Sequence, residues 1–198
     1  MKGRPDVTAL VGSRICHDLV NPLGAIGNGV ELLELSGLPQ TPELQLIAES
    51  VANANAKIRF FRVAYGAAQA DQAMGRAEIA ATLAAAARGG KLSYFWAAEG
   101  QQPRREVRAV FLLLQCFEAA MPTGGDICIS RDGPHWELTG EAARLMIDEG
   151  LWTSMLSTRT RPHVTASQVQ FLLVPDALAE LGRNLALKLG PDRIIARF

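Results

Sequence analysis

His17, Asp18 and Asn21 fall within five residues of one another and run directly into Pro22. A neutral imidazole nitrogen is nucleophilic near pH 7 and can take a phosphoryl group directly. The adjacent carboxylate of Asp18 either holds the ring in one tautomer or shuttles its proton. Asn21 stands one helical turn after His17 and can offer an amide hydrogen bond to a phosphoryl oxygen or to a water. Pro22 has no N–H for the carbonyl of residue 18, so a helix through this stretch is loosened just after the histidine.

The element that must carry these groups is an amphipathic helix. At about 100° per residue, Ile15, Leu19, Ile26, Val30 and Leu33 share one side and form a stripe to be buried against other helices. His17 projects about 180° from the middle of that stripe, into solvent. Ser13, Val20, Asn21, Gly24 and Asn28 flank it, mostly small residues that let a partner approach. Val20 is then an outward apolar side chain, the expected anchor for a docking protein, with Arg14 and Gly24 at the edges of that surface.

Asp6 or Thr8 caps this first helix, which runs to about Ser36, and Ser36-Gly37-Leu38-Pro39 stops it. Thr41 with Pro42 at the first helical position opens a second helix, with Leu44, Ile47, Val51, Ala54, Ile58 and Tyr65 along its apolar side. Two such helices joined by a short loop form an antiparallel hairpin. The hairpin cannot bury both stripes alone. A second copy would complete a four-helix bundle about a two-fold axis; the alternative is cover from the rest of the chain.

After a small, polar junction at Gly66–Gly75 the pattern changes. Helices are expected over Glu78–Arg88, Arg104–Ala120, Glu141–Glu149 and Ala166–Leu181, the last ending at Gly182. Strands are expected over Lys91–Ala97, Asp126–Ser130, His135–Thr139, Leu185–Leu189 and Arg193–Phe198, with Asp132-Gly133 as a hairpin turn. A Thr/Ser/Arg loop runs through about Pro162. The arrangement is α+β, with helices on one face of a sheet.

The 198 residues are 48% hydrophobic and 20% charged, with zero formal net charge, so nucleic acid is not favoured as the main partner. Cys16, Cys116 and Cys128 lack metal-ligand spacing and fit free thiols in a reducing compartment; Cys16 is a small packing residue. No apolar segment resembles a signal peptide or reaches the ~18 residues of a membrane span, so a cytoplasmic protein is expected. His135 and His163 have no ligand partner at metal spacing. Arg159 and Arg161 form a small basic loop, and Trp96, Trp136 and Trp152 read as core or domain-junction aromatics rather than a stacking platform.

His17-Asp18-Leu19-Val20-Asn21-Pro22 resembles the H-box of histidine kinases, His-Glu/Asp-Leu-x-Asn/Thr-Pro. With Ser13-Arg14-Ile15-Cys16 before it, and Gly24-Ala25-Ile26 and Asn28-Gly29 after it, the stretch is similar to the ChpT-type histidine phosphotransferases of alphaproteobacteria. That resemblance implies a helical hairpin over residues 1–74 that forms a four-helix bundle by dimerisation. It implies a C-terminal α/β sandwich over 75–198, resembling a degenerate histidine-kinase ATP-binding domain. Pro122-Thr123-Gly124-Gly125 matches the kinase pattern, but Cys116 stands where the kinases place their magnesium-binding asparagine. Leu138-Thr139-Gly140-Glu141-Ala142-Ala143 stands where Asp-x-Gly-x-Gly should be, and residues 150–165 hold one glycine, Gly150.

The implied protein is a phosphotransferase shuttling a phosphoryl group between receiver-domain aspartates through His17, with Asp18 and Asn21 assisting. It takes no ATP; magnesium comes from the partner receiver. The implied partners are the receiver of a hybrid histidine kinase (CckA-like) and response regulators (CtrA-like). A short active histidine kinase and a non-catalytic dimeric scaffold are the alternatives.

Overall fold

The structure is a computed structural model that describes residues 7–37, 41–69, 71–157 and 161–198. It divides into two compact units, Met1–Ala67 and Ala68–Phe198, within the stretch expected to be a junction.

The first unit is a helical hairpin, α1 (Val7–Leu35) and α2 (Pro42–Tyr65). Thr41 caps α2 as expected, its hydroxyl accepting the Leu44 N–H at 3.3 Å with Pro42 in the first turn. Thr8 lies inside α1, whereas Asp6, Leu38 and Pro39 fall outside the described residues. The helix passes through Pro22 without a break.

The seam between the helices departs from the expected one. Ala9, Cys16 and Val30 are buried, and Gly12, Ser13, Val20, Leu23 and Gly27 on the same side are half-buried. Of the anticipated stripe only Val30 is buried; Ile15, Leu19, Ile26 and Leu33 remain 54, 46, 49 and 45% exposed. The reason is close approach. A Cβ on Gly12 would lie 2.8 Å from the Tyr65 carbonyl oxygen, and one on Gly27 would touch Val51 at 3.5 Å. The small residues therefore face α2, and the large aliphatics lie about 100° around the helix. On α2, Val51 and Ile58 are buried, Leu44, Ala54 and Tyr65 half-buried, and Ile47 exposed. Ser13 Oγ, expected to face outward, instead accepts the Ala67 N–H at 2.9 Å.

The second unit carries β1 (Ala73–Gly75), α3 (Arg76–Ala87), β2 (Leu92–Trp96), β3 (Gln101–Pro103), α4 (Arg104–Ala120), β4 (Gly125–Asp132), β5 (His135–Glu141), α5 (Glu149–Ser154), α6 (Gln170–Glu180), β6 (Ala186–Leu189) and β7 (Arg193–Arg197). Five strands form a sheet in the order β2-β4-β5-β7-β6, with β2 and β4 parallel and the other pairs antiparallel. β1 and β3 make a separate short pair that the sequence pattern did not reveal. The sheet alternates: Ile127, Ile129, Trp136, Leu138, Ile194 and Ala196 are buried, and their strand neighbours point the other way.

Glu106 on α4 ties the core together. Its carboxylate accepts Trp136 Nε1 at 2.8 Å and Arg183 Nη2 at 3.0 Å, and lies 3.2 Å from Arg131 Nη2. Arg131 also stacks 5.3 Å over the Trp136 ring, so the buried acid is both paired and hydrogen-bonded. Trp96, Trp136 and Trp152 are buried, so of the two expected placements the core one fits.

One expected helix is absent. β5 runs on to Glu141, and residues 142–148 stay irregular because Ala142 N donates to the Asp192 carbonyl at 3.0 Å and Met146 N to that of Ala120 at 2.8 Å. The helix starts only at Glu149, where Asp148 Oδ1 accepts the Leu151 N–H at 3.1 Å. It therefore occupies the start of the expected loop, whose residues 158–160, Arg159 among them, fall outside the described residues. The expected last helix is a 3-10 turn at Ala166–Gln168 followed by α6, and Gly182 (φ +66°) follows its end. Among the described residues, no helix is long and apolar enough to cross a membrane.

Candidate functional site

α1 presents His17 with its side chain 73% exposed. Its Nδ1 lies 3.1 Å from Asp18 Oδ1, and Arg14 Nε donates to Asp18 Oδ2 at 2.7 Å. The hydrogen bond to His17, and then that to Arg14, hold the Asp18 carboxyl below the usual carboxylate range. An ionised carboxylate only accepts, so the proton belongs on Nδ1 and the lone pair on Nε2. The site therefore offers a free, nucleophilic Nε2 with an anion behind the ring.

Asn21 and Pro22 are exposed on the same stretch, and a Cβ on Gly24 would meet nothing within 4 Å. Val20 is not the outward side chain that was expected. It is half-buried, as is Gly24, so the fully exposed row beside His17 consists of Arg14, Asp18, Asn21 and Asn28, with the open Gly24 at its edge. Cys16 is buried in the seam, and burial raises its thiol pKa, which disfavours the reactive thiolate. Among the described residues, no three potential metal ligands cluster.

The pairing of Arg14 with Asp18 was missed in the sequence, although a base four residues before an acid was its signal. The Glu106 cluster was missed too, because Arg131 and Arg183 are remote in sequence.

In the second unit, Cys116 is fully buried, 3.5 Å from the Leu112 carbonyl and 3.7 Å from Met155 Sδ. Burial, with help from Glu118, pushes its thiol well above the ordinary range. Trp152 of α5 packs edge-on against Phe117, with centroids 5.5 Å apart, and against Phe171 at 5.8 Å. Indole, thioether and thiol thus pack together along this side of α4. Glu141 pairs with Arg193, and Arg161 makes two bonds to Asp176 at 2.9 and 3.0 Å.

The family model for the histidine phosphotransferase C-terminal domain matches residues 76–193. A protein phosphotransferase ChpT of Brucella abortus (strain 2308) is 38% identical over 136 residues, 65% of this chain and 62% of that protein. The match thus spans less than two thirds of that relative's length. A solved bacterial phosphotransferase superposes with a TM-score of 0.70 over 98% of this chain and 97% of its own, at 22% identity. Full-length ShkA in complex with AMPPNP gives a TM-score of 0.50 over 96% of this chain and 45% of its own, at 14% identity.

Proposed function

The chain belongs to the histidine phosphotransferase family, and from that membership we propose that it carries phosphoryl groups between receiver-domain aspartates through His17. The observation that carries this reading is the exposed ring with Nδ1 against an ionised Asp18. The Nε2 lone pair attacks the phosphorus of an aspartyl phosphate. A P–N bond forms as the P–O bond breaks, and the aspartate leaves as a carboxylate with the bonding electrons. The ring keeps its proton on Nδ1 and becomes cationic, facing the Asp18 carboxylate. Asn21 hydrogen-bonds a phosphoryl oxygen or a water. A second receiver's carboxylate reverses these steps, and the receivers contribute the magnesium.

The partners on this reading are a hybrid kinase receiver (CckA-like) and response regulators (CtrA-like), met in the cytoplasm. They dock over the outward row, with Arg14 and Gly24 at its edges and half-buried Val20 as an apolar contact. The exposed Ile15, Leu19, Ile26 and Leu33 support a homodimer in which two hairpins close a four-helix bundle.

Mixing with a phosphorylated receiver domain should place acid-labile, alkali-stable label on the chain. His17→Gln should abolish the label without altering thermal stability, and retained label would reject His17 as the acceptor. We also read the second unit as binding no ATP, because Trp152 and Met155 pack where Cys116 replaces a magnesium ligand. Titration calorimetry with Mg-ATP at millimolar concentration should give no saturable heat; saturation would favour a short histidine kinase.

A further inference from the structure

We propose that Arg14 is a positioning residue: by holding one oxygen of Asp18 it turns the other onto His17 Nδ1, and so keeps the nucleophilic lone pair on Nε2. The proposal rests on the phosphotransfer reading and assigns within it the group that sets the ring's tautomer.

Helix geometry makes such a group necessary. Adjacent residues on a helix diverge by about 100°, so His17 and Asp18 do not face each other by default. Yet Asp18 Oδ1 lies 3.1 Å from Nδ1, so the carboxylate is turned across the helix surface. Arg14 stands three residues before His17 and four before Asp18, the two spacings at which helical side chains meet. Its Nε takes Oδ2 at 2.7 Å and leaves Oδ1 for the imidazole. One carboxylate is thereby divided between a guanidinium and a ring, and neither oxygen is free to rotate away without losing a charge-assisted bond.

Helix stability does not account for the pair. With the base N-terminal to the acid, it has the less favourable orientation relative to the helix dipole. Its side chains are 77 and 48% exposed, and such surface pairs contribute little. Its effect falls instead on the imidazole. Without Arg14 the carboxylate turns to water and the ring exchanges between tautomers. A ring with its proton on Nε2 has no lone pair there to attack phosphorus.

The test is a long-range 1H–15N spectrum of the His17 ring in the unphosphorylated full chain, paired with transfer rates from a phosphorylated receiver. Wild type should show the proton mainly on Nδ1. Arg14→Gln should move the population toward Nε2–H and slow transfer about tenfold at saturating receiver, and Arg14→Lys should recover part of both. An unshifted tautomer in Arg14→Gln overturns the proposal. If transfer then falls only through weaker receiver binding, Arg14 is a docking contact instead. Should wild type take no phosphoryl group while Arg14→Gln still shifts the ring, the ring-holding role stands and the phosphotransfer reading fails.

Discussion

Helices α1 and α4 use their sequences in opposite ways. In α1 only Ala9, Cys16 and Val30 are buried, whereas in α4 every residue is buried except Arg105, Glu118 and Ala119. In helix α4 even a buried carboxylate is partnered, Glu106 with Trp136, Arg131 and Arg183. The helix α1 spends one narrow face on α2 and leaves two others open, an aliphatic stripe and, about 180° from it, a polar row around His17. On the phosphotransfer reading, a chemistry that must meet several proteins needs such open faces. The second unit instead closes its core, with Trp152 against Phe117 and Met155 against Cys116.

The open aliphatic face can be attacked first. Leu19→Asp places a charge in the proposed bundle twice, once per subunit. The lost burial and the carboxylate desolvation should together weaken association by about 5 kcal/mol per dimer. Sedimentation should show a monomer at micromolar concentration. A dimer of unchanged affinity would mean that the stripe faces solvent and that α1 is less like an unfinished core than its composition implies.

The closed core responds differently. Glu106→Gln removes the charge that Arg131 and Arg183 face in the interior, and breaking such a pair should cost about 3 kcal/mol. Denaturant unfolding followed by tryptophan fluorescence should show the loss, while the His17 ring spectrum stays as in wild type. A shift of that ring spectrum in Glu106→Gln would mean that the contrast between core and reactive surface is false.

The same contrast explains what was legible beforehand. Helix α4 matches its expected bounds because Pro103 before it and Pro122 with Gly124 and Gly125 after it punctuate an apolar run. His17 was legible because its chemistry lies in contiguous residues. The seam was not. Hydrophobic periodicity finds the strongest apolar face, but Gly12, Ser13 and Gly27 decide which face the neighbour reaches, and small residues carry little hydrophobic signal. The helix expected over Glu141–Glu149 failed for a related reason. Its local propensity is overridden by bonds from Ala142 and Met146 to Asp192 and Ala120. The Glu106 cluster joins residues up to 77 positions apart, beyond any local pattern.

Gly140 provides the finest test, because two explanations meet on one residue. In the sequence it resembles a remnant of a nucleotide-binding glycine motif. In the fold it lies on β5 under α4, where an added Cβ would come within 2.6 Å of Phe117 Cδ1 and 3.1 Å of Met121 Sδ. Packing alone therefore calls for glycine at this position. Gly140→Ala should force Phe117 from its place against Trp152 and cost about 2 kcal/mol, the usual range for overpacking a core. Phe117→Leu in the same chain should recover part of that loss by clearing the ring, which a nucleotide role would not predict. Equilibrium unfolding of the two single variants and the double variant measures the coupling. Additive losses would remove the packing explanation and leave the glycine as a trace of nucleotide binding.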